Sequence, residues 1–248
     1  MQIATEYIDG VDGASMRVFL ATPRAAGRFP GVVAYSDIFQ LTGPMLRVCA
    51  RLAGYGFVVA APEIYHRLEP PGTAIPFDDE GRERGLRDAS RTRVAEFDAD
   101  CRATLDYLGT HPRVAAGQLG VMGFCIGGHL AFRAAMQPDV KATTCFYGTG
   151  IHNGKLGLDA DAGSLARAGE IRGELLMCFG RQDPHVPAEG RDAIERALAG
   201  AGVRANVKLY DGEHAFMRDE GPRFNPEATD QAFADMIALF RDTLKPAA

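Results

Sequence analysis

Alternating apolar and polar positions open the chain. Ile3–Ile8 and Met16–Ala21 carry the period of strands, and the Asp9-Gly10 and Asp12-Gly13 pairs between them favour a tight reversal, so an antiparallel start is expected. The rhythm then changes. Gly31–Tyr35 and Phe57–Ala61 are short continuous apolar runs, the pattern of strands buried on both faces. Between them Pro44–Ala53 reads as a helix that stops at Gly54. Leu119–Phe124, Ala142–Tyr147, Glu174–Phe179 and Asn206–Tyr210 continue the strands, with helices expected at 126–137 and 187–199. A last helix starts at Asn225-Pro226, with Asn as N-cap and Pro at the first helical position, and presents Phe233, Met236, Ile237, Phe240 and Leu244 on one face. Strands and helices alternating in this way predict one α/β domain over residues 1–248, built on a mostly parallel central sheet of about seven or eight strands flanked by helices.

One stretch breaks the pattern. More than half of residues 78–102 are charged, which by itself reads as a solvated helical face. Val94, Phe97, Cys101, Leu105 and Leu108 nevertheless recur at helical spacing, so an amphipathic helix is expected over about 91–108.

Composition narrows the function. The 248 residues hold 27 Lys+Arg against 32 Asp+Glu, a formal charge of −5, and show no basic run, which argues against a nucleic-acid partner. Five cysteines without a CxxC pair suit neither a disulfide framework nor a zinc site, and they suggest a reducing, cytoplasmic setting. The N-terminus lacks the layout of a signal peptide. The longest charge-free run, Val114–Phe132, carries five glycines and reads as strand, turn and helix, so no membrane span is expected. Six scattered histidines form no H-E-x-x-H motif, and no metal is expected. Gly148-Thr149-Gly150-Ile151-His152-Asn153-Gly154 has the wrong spacing for a dinucleotide fingerprint.

The chemistry concentrates at three loops. Gly123-Phe124-Cys125-Ile126-Gly127-Gly128 follows one strand and opens a helix, giving the G-x-nucleophile-x-G elbow with cysteine in the nucleophile position. There a thiol meets a helix N-terminus, whose dipole favours thiolate. The other four cysteines lie inside apolar patterns and read as core. An acid and then a histidine are expected downstream, each on a loop after a strand. Asp183 follows the 174–179 strand and His214 follows the 206–210 strand. His214 would take the thiol proton and Asp183 would orient its ring. His185 is a competitor for the base, but chain order favours His214. Two backbone N–H donors complete the set: Ile126, next to the nucleophile, and Ile38, in the loop after Gly31–Tyr35.

On these residues the sequence resembles the dienelactone hydrolase (carboxymethylenebutenolidase) family of α/β-hydrolases over nearly its whole length. Ser36-Asp37-Ile38-Phe39, Ala61-Pro62-Glu63-Ile64-Tyr65, Pro71-Gly72-Thr73-Ala74, the cysteine elbow, Gly180-Arg181-Gln182-Asp183 and Gly212-Glu213-His214-Ala215-Phe216-Met217-Arg218 carry the likeness. The resemblance implies cofactor-free opening of an enol-lactone to an oxo-acid through a thioester, in the degradation of aromatic compounds, by a monomer or small homo-oligomer. It puts Cys125, Asp183 and His214 on the triad and Ile38 and Ile126 on the oxyanion donors. Arg218 falls on an arginine that pairs with the substrate carboxylate, whereas taken alone it also reads as a surface partner of Asp219 or Glu220. The family glutamate that holds the resting thiol is here Asp37, which either reaches Cys125 or caps the following turn. A second carboxylate-binding arginine aligns with Glu83, between Arg82 and Arg84, and Ala215 replaces a serine. These departures leave room for a broader carboxylesterase or thioesterase, and less favourably for a ligand-binding protein without turnover.

Overall fold

A computed structural model describes residues 1–10 and 13–246. Asp12 of the expected first turn lies outside the described residues. The flanking strands β1 (Gln2–Asp9) and β2 (Ser15–Thr22) pair antiparallel, with Ile8 opposite Met16. Strand β3 (Phe29–Tyr35), helix α1 (Gly43–Gly54) and strand β4 (Val58–Pro62) follow, and β4 pairs antiparallel with β2 and parallel with β3. After β4 come helices α2 (Asp79–Arg91) and α3 (Val94–Thr110), then β5 (Val114–Phe124), α4 (Ile126–Ala134), β6 (Val140–Phe146), β7 (Glu174–Gly180), α5 (Ala188–Gly200), β8 (Ala205–Tyr210) and α6 (Pro226–Thr243). The eight strands form one sheet in the order β1-β2-β4-β3-β5-β6-β7-β8, parallel from β4 onward.

Neighbouring residues on the central strands serve opposite cores, which is why these strands read as unbroken apolar runs. Val33, Val121, Cys145 and Met177 face one side and pack with Phe97 and Leu105 of α3, Leu130 of α4 and Ile194 of α5. Val32, Met122, Phe146 and Cys178 face the other side and pack with Leu52 of α1 and Phe233, Met236 and Phe240 of α6. Cys49, Cys101, Cys145 and Cys178 are buried free thiols within these cores, and Cys125 alone among the five is partly exposed.

The charged stretch resolves into two helices rather than one. Asp78 caps α2 by accepting the Gly81 N–H at 2.7 Å. Thr92 and Arg93 are extended, so α2 ends there, and α3 starts afresh. Glu96 accepts the Arg93 N–H at 2.6 Å and Asp159 accepts the Val94 N–H at 2.7 Å. The apolar stripe beginning at Val94 therefore belongs to α3, and α2 is a separate element. The last helix begins as expected, with the Asn225 side chain accepting the Ala228 N–H at 3.1 Å.

Candidate active site

The carboxyl ends of β3, β5, β6, β7 and β8 converge on one cavity of about 1040 Å³, at the edge where open α/β sheets bind ligands. Cys125 sits there between β5 and α4 with φ +57° and ψ −120°, a conformation that L-residues rarely adopt. Glycines make the turn possible. A Cβ on Gly123 would stand 1.9 Å from the Gly127 carbonyl oxygen, and one on Gly127 would stand 2.2 Å from that of Ser36. The Cys125 carbonyl accepts N–H groups from Gly128 at 3.0 Å and Thr149 at 3.2 Å, which pins the elbow to α4 and to the loop after β6.

His214 Nδ1 lies 2.8 Å from Asp183 Oδ2, in a nearly buried pair, and His214 lines the same cavity as Cys125. Burial alone would lower the imidazole pKa. Electrostatic attraction to Cys125 and the hydrogen bond to Asp183 outweigh burial and raise it to about 10. Asp183 shows the complementary balance: burial pushes it up, but the His214 hydrogen bond and charge hold it below the usual carboxylate range. His185 lies beside this pair. It gives its backbone N–H to Asp183 Oδ1 at 2.8 Å, and its ring packs edge-on against His214 with centroids 4.6 Å apart. Burial first, and then the His214 charge, lower the His185 pKa.

Ile38 and Ile126 both line the cavity beside Cys125. Ile126 is the first residue of α4, so its N–H has no acceptor within the helix. Asp37 is held elsewhere than at the sulfur: Oδ1 accepts the Phe39 N–H at 2.9 Å and Oδ2 lies 3.7 Å from Arg218 Nε. Burial raises the Asp37 pKa against the pull of Arg218. These contacts match the turn-capping alternative.

Arg218 faces the cavity, not Asp219 or Glu220. Both of those carboxylates are taken by Arg47 of α1, at 2.6–2.7 Å. The Arg218 guanidinium lies against the rings of Phe39 and Phe77, 4.9 and 4.6 Å from their centroids, and its buried Nε has no hydrogen-bond partner among the described residues. The two further arginines separate as well. Arg84 is bound to Glu69 in a two-pronged pair, whereas Arg82 lines the cavity with only a 3.9 Å contact to exposed Asp79.

Three contributors were not legible from the motifs. Helix α2 forms a wall through Arg82, Leu86, Ala89 and Ser90, although its charge density suggests mere solvation. The loop after β6 supplies Thr149, Gly150 and Asn153, from the stretch that fails as a dinucleotide motif. Tyr147, at φ +41°, packs edge-on against His214 with ring centroids 5.2 Å apart. Position at a strand's carboxyl end was the available signal for the last two.

Comparison with known proteins agrees with this architecture. Residues 16–244 match the family model described as the dienelactone hydrolase family. This chain belongs to that family. A Saccharomyces cerevisiae relative is 36% identical over 243 residues, covering 94% of this chain and 89% of its own. The carboxymethylenebutenolidase of Pseudomonas sp. (strain P51) is 31% identical over 239 residues, covering 96% and 94%. A crystal structure from Klebsiella pneumoniae subsp. pneumoniae superposes with a TM-score of 0.84 at 25% identity, covering 97% of this chain and 99% of the other. Membership of the dienelactone hydrolase family fixes the α/β-hydrolase fold and the hydrolase class. Among the described residues no helix is long and apolar enough to cross a membrane.

Proposed function

We propose that this dienelactone hydrolase family member opens lactones or esters that carry a carboxylate, by covalent catalysis at Cys125. The observation that carries the reading is the His214–Asp183 pair beside Cys125, in a cavity that Arg218 also lines, its Nε 3.7 Å from Asp37 Oδ2 and without a hydrogen-bond partner among the described residues. Cys125 sits at the N-terminus of α4, where the helix dipole favours the attacking thiolate form, and His214 lines the same cavity.

In this mechanism Cys125 Sγ attacks the acyl carbon, and the carbonyl electron pair moves onto oxygen. The Ile38 and Ile126 N–H groups meet that oxyanion, donors of a kind worth about 10²–10³ each in rate. As the ring C–O bond breaks, the departing enolate oxygen takes the proton from His214, leaving a thioester. His214, neutral again, removes a proton from water, whose oxygen attacks the thioester carbon. Collapse expels the Cys125 thiolate, and the water's proton stays on His214, which restores the ion pair. Asp183 holds the ring and its charge throughout. The Arg218 fork, lying against Phe39 and Phe77, receives the substrate carboxylate, and Arg82 lies on the same cavity as a second cation.

The test is a paired hydrolysis assay with purified protein, a dienelactone against a neutral aryl ester, each with and without thiol alkylation. Alkylation-sensitive turnover of the lactone, well above the ester, is expected. Alkylation-sensitive turnover of the neutral ester alone would keep the nucleophile and move the substrate to a broader carboxylesterase. Turnover of either that survives complete alkylation of Cys125 would overturn the mechanism.

A further inference from the structure

The sulfur of Cys125 has a second polar neighbour besides His214. Thr149 Oγ1 lies 4.0 Å from Sγ, at the outer reach of a hydrogen bond to sulfur. A thiolate can only accept, so if the sulfur carries charge, the threonine hydroxyl is the donor.

Thr149 is clamped on both sides of its backbone. Its N–H donates to the Cys125 carbonyl at 3.2 Å, and its own carbonyl is 2.9 Å from His129 Nδ1. A carbonyl cannot donate, so His129 Nδ1 carries the proton. His129 is fully buried, and burial lowers its pKa to about 3, so the ring is neutral and Nε2 holds a lone pair. The Ser164 hydroxyl, 2.7 Å away, therefore donates to Nε2. Ser164 Oγ then has room to accept from Arg133 Nη1 at 3.0 Å. Arg133 is itself fixed by Asp98, at 2.8 and 2.5 Å, and by the Ala162 carbonyl at 2.8 Å. Each donor in this chain meets one acceptor, and only one arrangement of protons satisfies all of them. The relay runs from Asp98 of α3 through Arg133 and His129 of the buried helix α4 to Thr149, whose hydroxyl is 4.0 Å from the sulfur. The mechanism above makes no use of it, and Asp37, the other candidate for holding the thiol, is occupied by the Phe39 N–H and Arg218.

We infer that Thr149 is a positioning residue for the nucleophile: its hydroxyl donates to Cys125 Sγ and steadies the thiolate, and the buried His129–Ser164–Arg133 relay holds it in place. The inference rests on the reading of Cys125 as the nucleophile. No proton is transferred to or from Thr149; the hydroxyl keeps its hydrogen while Sγ turns from it toward the acyl carbon.

The experiment follows the rate of Cys125 alkylation by iodoacetamide against pH in the folded protein, together with kcat and KM, for wild type, T149V, T149S and H129N. The four buried cysteines are controlled for with C125A. T149V is isosteric and lacks the hydroxyl. It is expected to move the alkylation profile to higher pH and to lower kcat by roughly tenfold with KM little changed, the scale of one hydrogen bond to a charged group. T149S should restore both to within about threefold. H129N touches neither sulfur nor substrate, yet should shift the profile in the same direction. If H129N does not fold, S164A carries the same expectation.

A T149V profile that superimposes on wild type overturns the inference. So does a T149S variant no better than T149V, which would make the effect one of packing. These outcomes are separate from failure of the hydrolase reading: that would appear as turnover surviving alkylation, while the profile would still report whether Thr149 governs the thiolate.

Discussion

Cys125 combines a strained backbone with the sulfur proposed as nucleophile, and substitutions can separate the two. Cys125→Ala removes the sulfur but keeps the φ of +57° and its cost, so the fold is expected to keep its melting temperature to within a few degrees. Turnover should fall by at least about 10³, because the covalent step is gone; near-normal hydrolysis by this variant would refute the mechanism. Arg218→Ala is expected to raise KM for carboxylate-bearing lactones by about tenfold or more and to leave neutral aryl esters little changed. Equal effects on both substrates would mean that Arg218 only braces Phe39 and Phe77. At this scale the sequence was informative wherever the chemistry is local. Spacing placed Cys125, Asp183 and His214 after the ends of β5, β7 and β8, because an elbow and two post-strand loops are written in consecutive residues. The partner of Arg218 was not readable in that way. It depends on Arg47, distant in sequence, which claims the two adjacent carboxylates.

Among the elements, α2 departs most from its sequence pattern. Most of its charges are exposed, but Asp88 is buried and Gly85 presses against the Ile38 loop, where an added Cβ would stand 2.3 Å from the Ile38 carbonyl oxygen. Gly85→Ala therefore sets two effects against each other. The helix gains up to about 1 kcal/mol of propensity, while the loop that carries the Ile38 N–H must move. We expect a fall in kcat of at least about tenfold, as an oxyanion donor shifts, with far less loss of thermal stability than a buried clash alone would give. Unchanged kcat would show that the loop yields without disturbing Ile38. The break between α2 and α3 was missed for a related reason. Thr92 and Arg93 carry no proline or glycine, and the cap that starts α3 comes partly from Asp159, a residue remote in sequence.

Two buried histidines give the molecule opposing responses to pH. His129, with its pKa lowered to about 3, stays neutral in the fold while the unfolded chain takes up a proton below about pH 6.5. Stability should therefore fall as pH drops below that value, by up to about tenfold in the folding constant per pH unit for this group. His214 acts in the opposite sense. Its raised pKa contributes stability that is complete below about pH 6.5 and is lost as pH rises through about 10. Urea unfolding between pH 4.5 and 10.5 should give a maximum near neutrality. H129N should flatten the acid side and C125A the alkaline side; a C125A curve with the wild-type alkaline slope would show that sulfur charge does not hold the His214 proton.

The pairing of Arg47 with Asp219 and Glu220 makes an exposed arginine a guard on the substrate site. As a surface ion pair it contributes little to folding, and a stability screen would pass over it. Its removal would free two carboxylates adjoining Arg218 in sequence, where they would compete with the anionic end of any substrate. Arg47→Ala should accordingly fold as wild type yet bind acidic substrates less tightly, most visibly at low salt where such competition is least screened. Selectivity for charge in this enzyme would then be set partly by a residue that the substrate never meets.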